Sequence, residues 1–226
     1  MDIDRLRENL SGQSLASAAF YDLTVKCGDR TWSAHKVILS CQSRWFERAL
    51  CGGFSESTNG NNEIELKDDA SYLDAIDALM SFFYTLDYDP KDGLFHHARV
   101  FVIADKYDVG GLQWLAVNRL SAAAAECRFK QDFADLIEFV YDNTLPAHRT
   151  IRDSMLNIAA RDMEKLLLNK AFVTMLDRNG EFARELLQTV HDMTVRKPIE
   201  EQEDDSAAGE WGEEDVRMCT MHSGQT

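Results

Sequence analysis

The 226-residue sequence contains no apolar run long enough to cross a bilayer. Its first ten residues, MDIDRLRENL, mix charges where a secretory signal would carry an apolar stretch. Nor is there a Cys-x-x-Cys pair. The five cysteines, Cys27, Cys41, Cys51, Cys127 and Cys219, are odd in number, and three lie on or beside apolar stripes, where cysteine acts as a small hydrophobe. These absences predict no membrane span and reduced cysteines in the cytoplasm and/or nucleus. Basic charge is also lacking. The net charge is −15, and nine acids without a Lys or Arg between Glu200 and Asp215 leave −6 for the rest of the chain. Such a balance has no electrostatic footprint for nucleic acid. G-x-S-x-G, a Walker loop and H-E-x-x-H are all missing, so neither an enzyme nor a cofactor is expected. His96 and His97 point in adjacent helical directions, poor for a shared ligand, and are expected to be surface residues. Cys219 and His222 make at most half a metal site.

What is present is enough for a real core. Hydrophobic residues make up 45% of the chain, ordinary for one or two globular domains. The organising stretch is Tyr21 to Glu56. Leu23, Val25 and Cys27 alternate with Thr24 and Lys26, the period of a half-buried strand. Gly28-Asp29 supplies a two-residue turn, and Arg30 to Ala34 returns as a second strand around Trp32. From His35 the period becomes helical: Ile38, Cys41, Trp45 and Ala49 recur, with Val37, Phe46 and Leu50 beside them. This predicts a helical hairpin or a bent helix with Trp45 in the core. Upstream, Ile3, Leu6 and Leu10 share helical spacing, which fits a short amphipathic helix or a frayed end.

Downstream, a turn-rich loop at 58–62 leads to a third strand at Glu63 to Lys67. Asp69 or Ser71 then caps a helix carrying Tyr72, Leu73, Ile76, Leu79, Met80 and Phe83. Asp87-Tyr88-Asp89-Pro90 breaks it, with a short edge strand expected there. A helix from Leu94 to Val109 contains Phe101, another core candidate, and Gly110 suits its C-cap. Leu112, Leu115, Ala116 and Leu120 begin the next helix. Residues 126–197 then carry one-sided apolar stripes, which must pack on one another or on the first domain. Beyond Pro198 the acidic segment with Trp211 is expected to be disordered, a solvated charge run rather than a docking motif.

Two spaced strings, Asp-Leu-Thr-Val followed by Trp-Ser-Ala-His-Lys-Val-Ile-Leu, and Ala-Asp-Lys-Tyr-Asp-Val-x-x-Leu after Phe101, resemble a BTB/POZ domain. The match covers roughly residues 20–120 and includes Asp22, His35, Lys36, Ala104, Asp105, Tyr107 and Leu112. It implies an α+β fold: a small mixed sheet flanked by helical hairpins (1–125), followed by an all-α extension similar to BACK or 3-box helices (126–197) and an acidic tail (198–226). The layout is also similar to that of short BTB proteins abundant in filamentous fungi. Kelch, ankyrin and zinc-finger patterns, which would point to a target, are absent.

The resemblance implies the following functional residues. Phe54-Ser55-Glu56 matches the hydrophobic-x-Glu motif by which BTB adaptors contact a cullin, with Phe54 at the hydrophobic position and Glu56 at the acid. Leu6 and Leu10 lie on the helix that takes part in dimerisation in many BTB domains. Asp22 and Lys36 match a buried acid and base that form a charged pocket near the two-fold axis of BTB dimers; otherwise Asp22 satisfies local backbone donors. The implied partners are a cullin scaffold, this chain itself or other BTB proteins, and an unknown substrate protein.

Overall fold

The computed structural model describes residues 20–51, 62–91 and 93–203. Strand β1 (Leu23–Cys27) buries Leu23, Val25 and Cys27 on one face, as their period requires. Gly28, at φ +57°, turns the chain into β2 (Arg30–Ala34), which pairs antiparallel with Val25 opposite Trp32. The third strand, β3 (Glu63–Glu65), pairs parallel to β1 with Val25 opposite Ile64, giving the order β2-β1-β3. A parallel pair needs a crossover, and two short helices supply it: α1 (Lys36–Gln42) and α2 (Arg44–Cys51).

The break between them falls at Ser43, whose backbone is extended. It resets the helical phase, so the stripe expected over 35–50 is redistributed. Leu39 and Phe46 are fully buried, Trp45 is half-buried, and Val37 and Cys41 face water. Ser43 itself is buried. Its hydroxyl accepts from the Phe46 amide at 3.0 Å, as an N-cap does, and donates to the Tyr107 carbonyl at 2.6 Å.

A 3₁₀ turn at Ala70–Tyr72 leads into α3 (Leu73–Thr85), which buries Leu73, Ile76, Leu79, Met80 and Phe83 as expected. Leu86 ends α3 in the left-handed region at φ 55°. The following segment makes no strand. Instead Tyr88 turns inward and is buried. Arg119 donates to its carbonyl at 2.6 Å, with the guanidinium carbon 4.4 Å from the ring centre. Tyr88 in turn covers His96 and His97 on α4 (Leu94–Lys106), so the expectation that these histidines lie at the surface is corrected: both are buried. α4 stops at Lys106, with Asp108 at φ 53° taking the conformation expected of Gly110. Gly110 instead opens α5 (Gly110–Cys127), and a Cβ on its neighbour Gly111 would stand 3.0 Å from the Phe82 ring.

α5 runs through residue 125; the next two helices pack on it and the last three pack on those two and on one another, without a break in the core. They are α6 (Gln131–Asn143), α7 (Arg149–Arg161), α8 (Met163–Leu166), α9 (Lys170–Arg178) and α10 (Gly180–Glu203). Phe95 meets Phe139 edge-to-face, Ser121 and Ser154 share a hydrogen bond of 2.5 Å, and His148 Nε2 lies 3.2 Å from Asp105. The stripes expected in 126–197 are buried at Phe133, Leu136, Ile137, Val140, Ile151, Met155, Phe172 and Phe182, but Leu167 and Leu187 are exposed. α10 continues past Pro198 to Glu203, so the boundary expected there falls inside a helix.

Candidate partner-binding surface

The loop that carries Phe54 and Glu56 lies outside the described residues, as do Leu6 and Leu10; both ends of that loop are described. Its leading end is α2. Phe46 packs edge-to-face on Phe83 and stacks on Tyr107, while Trp45 meets the Phe46 and Tyr107 rings edge-on at 4.9 and 4.8 Å. Tyr107 is held from the other side, its hydroxyl donating to Asp68 while the Lys106 ammonium lies 2.5 Å from the same carboxylate. Burial, then the hydrogen bond to Asp68, push the Tyr107 phenol well above its ordinary pKa, so it stays a donor. Asp68 and Ser43 were not legible as anchors, because one sits in a loop and the other looks like a polar residue within a helix.

The trailing end is Asn62. Its carbonyl accepts from the Thr24 amide at 2.8 Å, and its side-chain oxygen accepts from Lys36 Nζ at 2.7 Å. The same patch contains Asp22, whose carboxylate accepts from the Lys36 backbone N–H at 2.8 Å. Asp22 is exposed and Lys36 half-exposed in the single chain, and Lys36 directs its ammonium to Asn62 rather than to Asp22. Asp22 thus satisfies the first amide of α1, which an isolated helix leaves without a partner. Next to it, His35 is half-buried and bonds through Nδ1 to the Tyr84 hydroxyl at 3.0 Å. Of the other residues matched to the family strings, Ala104, Tyr107 and Leu112 are core, while Asp105 joins α4 to Gln113 and His148.

Among the described residues no group of three His, Cys, Asp or Glu side chains is placed to hold a metal ion, and no helix is long and apolar enough to cross a membrane. What the geometry offers is a rigid frame that fixes both ends of a loop, on a body whose helical half shares its core.

A family model described as BTB/POZ domain matches residues 12–123. A BTB/POZ domain-containing protein of Arabidopsis thaliana is 23% identical over 167 residues, 73% of this chain and 75% of that protein. That match is longer than the family match and so runs into the helices that follow. The solved BTB domain of zebrafish PATZ1 aligns with a TM-score of 0.40 at 19% identity, covering 50% of this chain and 85% of that one. BTB domains are protein–protein interaction modules that commonly self-associate. With its small mixed sheet, helical flanks and helical extension, this chain is a BTB/POZ-domain protein, with residues 12–123 as its BTB/POZ domain.

Proposed function

We propose that the protein is a substrate-recruiting adaptor of a cullin-RING ubiquitin ligase, working in the cytoplasm and/or nucleus. In this reading Phe54 and Glu56 make the cullin contact, and residues 126–197, read as BACK-like, widen it. The observation that most supports it is the anchoring of α2. Phe54 follows Cys51, the last residue of that helix, by three positions, and α2 is seated by the buried Phe46 and Ser43. A loop on a fixed base loses less entropy when it binds. An aromatic in a partner's pocket, with a carboxylate two residues on making a charge-assisted hydrogen bond, is a physically sound contact.

Calorimetry against the organism's own cullin tests this. Phe54→Ala should weaken binding by about 2 kcal/mol, the scale of an interface hot spot. Glu56→Ala should cost less, since a charge at an interface rim is partly screened. Melting should not change in either variant. Wild-type protein without affinity for that cullin would refute the adaptor reading and leave an oligomerisation scaffold in transcriptional or other assemblies. Phe20 at 81% and Val37 at 64% exposure favour this second reading, being apolar side chains left open beside the Asp22–Lys36 patch. A pull-down returning only other BTB proteins, without a cullin, would support it.

A further inference from the structure

A groove opens between the middle of α10 and the turn from α7 into α8. The inward face of that helix carries Phe182, Leu186, Val190 and Met193. The first two are 0% and 1% exposed, but Val190 and Met193 are only half-buried. Facing them are the end of α7 and helix α8, including Arg161, Lys165 and Leu167, and the space between is about 810 Å³. Leu168, 87% exposed, and Val195, 53% exposed, directly follow the lining residues Leu167 and Thr194 in sequence. Apolar surface gathered in one concave place invites cover.

The groove wall is mixed in charge, with Arg161 and Lys165 beside Asp162 and Glu164. Arg161 makes no ion pair among the described residues, and the Lys165 side chain is 73% exposed with its nearest acid, Asp162, 4.0 Å away. Asp162 is already neutralised by Arg128 at 2.6 Å, which leaves Glu164 as the opposing acid on the groove wall.

We propose that the Trp211 segment of this same chain docks in this groove. Residue 203 ends the described chain nine positions beyond Thr194, about 14 Å along the helix axis. The eight residues from 204 to 211 span up to about 26 Å when extended, enough to bring the indole back over Val190 and Met193. The segment offers the matching chemistry: one tryptophan set between Glu210 and the run Glu213-Glu214-Asp215. The indole would fill the apolar floor while the acids meet Arg161 and Lys165. Because the segment is tethered, its effective concentration is in the millimolar range, so a weak contact suffices. From the sequence the tail reads as solvated; the groove supplies a partner that no sequence pattern shows. The inference does not depend on cullin binding.

Hydrogen exchange on the full chain tests it. Backbone amides in 162–168 and 189–195 should exchange about fivefold faster in Trp211→Ala than in the parent, with the rest of the protein unchanged. The Arg161→Glu, Lys165→Glu double variant, altered only at exposed positions, should show the same loss with an unchanged melt. Added salt should narrow the difference between the parent and either variant. Equal exchange in parent and Trp211→Ala would overturn the proposal. So would protection that fades on dilution, which would assign the groove to a second copy.

Discussion

Arg152 sits on α7 between the core residues Ile151 and Met155, and is itself 1% exposed. Its guanidinium donates to the carbonyls of Tyr141 and Thr144 at 3.3 and 2.6 Å, to the Thr144 hydroxyl at 3.2 Å, and to Glu181 at 2.8 Å. It also lies 4.3 Å from the Tyr141 ring centre. The two carbonyls end α6, where no intrahelical donor remains, so one side chain on α7 caps α6 and ties it to α10. Arg152→Met keeps most of the volume but strips those acceptors of their donor, and each buried acceptor left unpaired costs about 1–3 kcal/mol. Glu181, with its side chain 38% exposed, can rehydrate and adds little. The total should be about 3 kcal/mol, at the lower end of what breaking a buried pair costs. For a chain of this size that lowers Tm by about 6–12 °C. Arg152→Lys should lose about half as much, because an ammonium has no planar fork with which to reach both carbonyls. Urea titration followed by circular dichroism measures both. If Arg152→Met stays within about 1 kcal/mol of the parent, the capping argument is wrong.

Burial, with His96 and Arg119 nearby, lowers the His97 pKa to about 4, while in the unfolded chain it returns to its ordinary 6.5. The unfolded state therefore binds the extra proton first, and stability falls by about 3 kcal/mol as pH drops from 6.5 through 4. Titrations at several pH values should show this slope in the parent and a shallower one in His97→Gln, where the buried His96, its pKa also lowered by burial, still contributes. Phe46→Ala should cost about 3–5 kcal/mol, as truncation of a buried aromatic does, whereas half-buried Trp45→Ala should cost visibly less. The reverse order in chemical denaturation would contradict the break at Ser43. Asp22→Ala should cost about 1 kcal/mol through the lost bond to the Lys36 amide. A monomeric protein with that variant unchanged in stability would show that the bond contributes nothing.

Elements whose neighbours in sequence are also their neighbours in space were legible from the chain alone. The β1–β2 hairpin follows from alternation and Gly28, and α3 follows from the stripe Leu73, Ile76, Leu79, Met80 and Phe83, all of it buried. The family strings work for the same reason, since Ala104, Tyr107 and Leu112 are core positions at fixed spacing. Phe54 and Glu56 were marked by resemblance only, and they lie beyond what the structure describes.

Tertiary structure decided the rest, because burial depends on what arrives from elsewhere. Tyr88 makes His96 and His97 interior residues by folding over them, which no helical period records. Ser43 splits a helix because Tyr107, 64 positions away, accepts its hydrogen bond. Arg152 is indistinguishable in sequence from a solvated arginine until α6 and α10 surround it. The groove beside α10 is walled by two stretches far apart in sequence, 160–167 and 190–194, which only the fold brings together. The sequence by itself determined the local periods and the family, through interactions between near neighbours. Which polar groups became interior anchors was settled by contacts far apart along the chain.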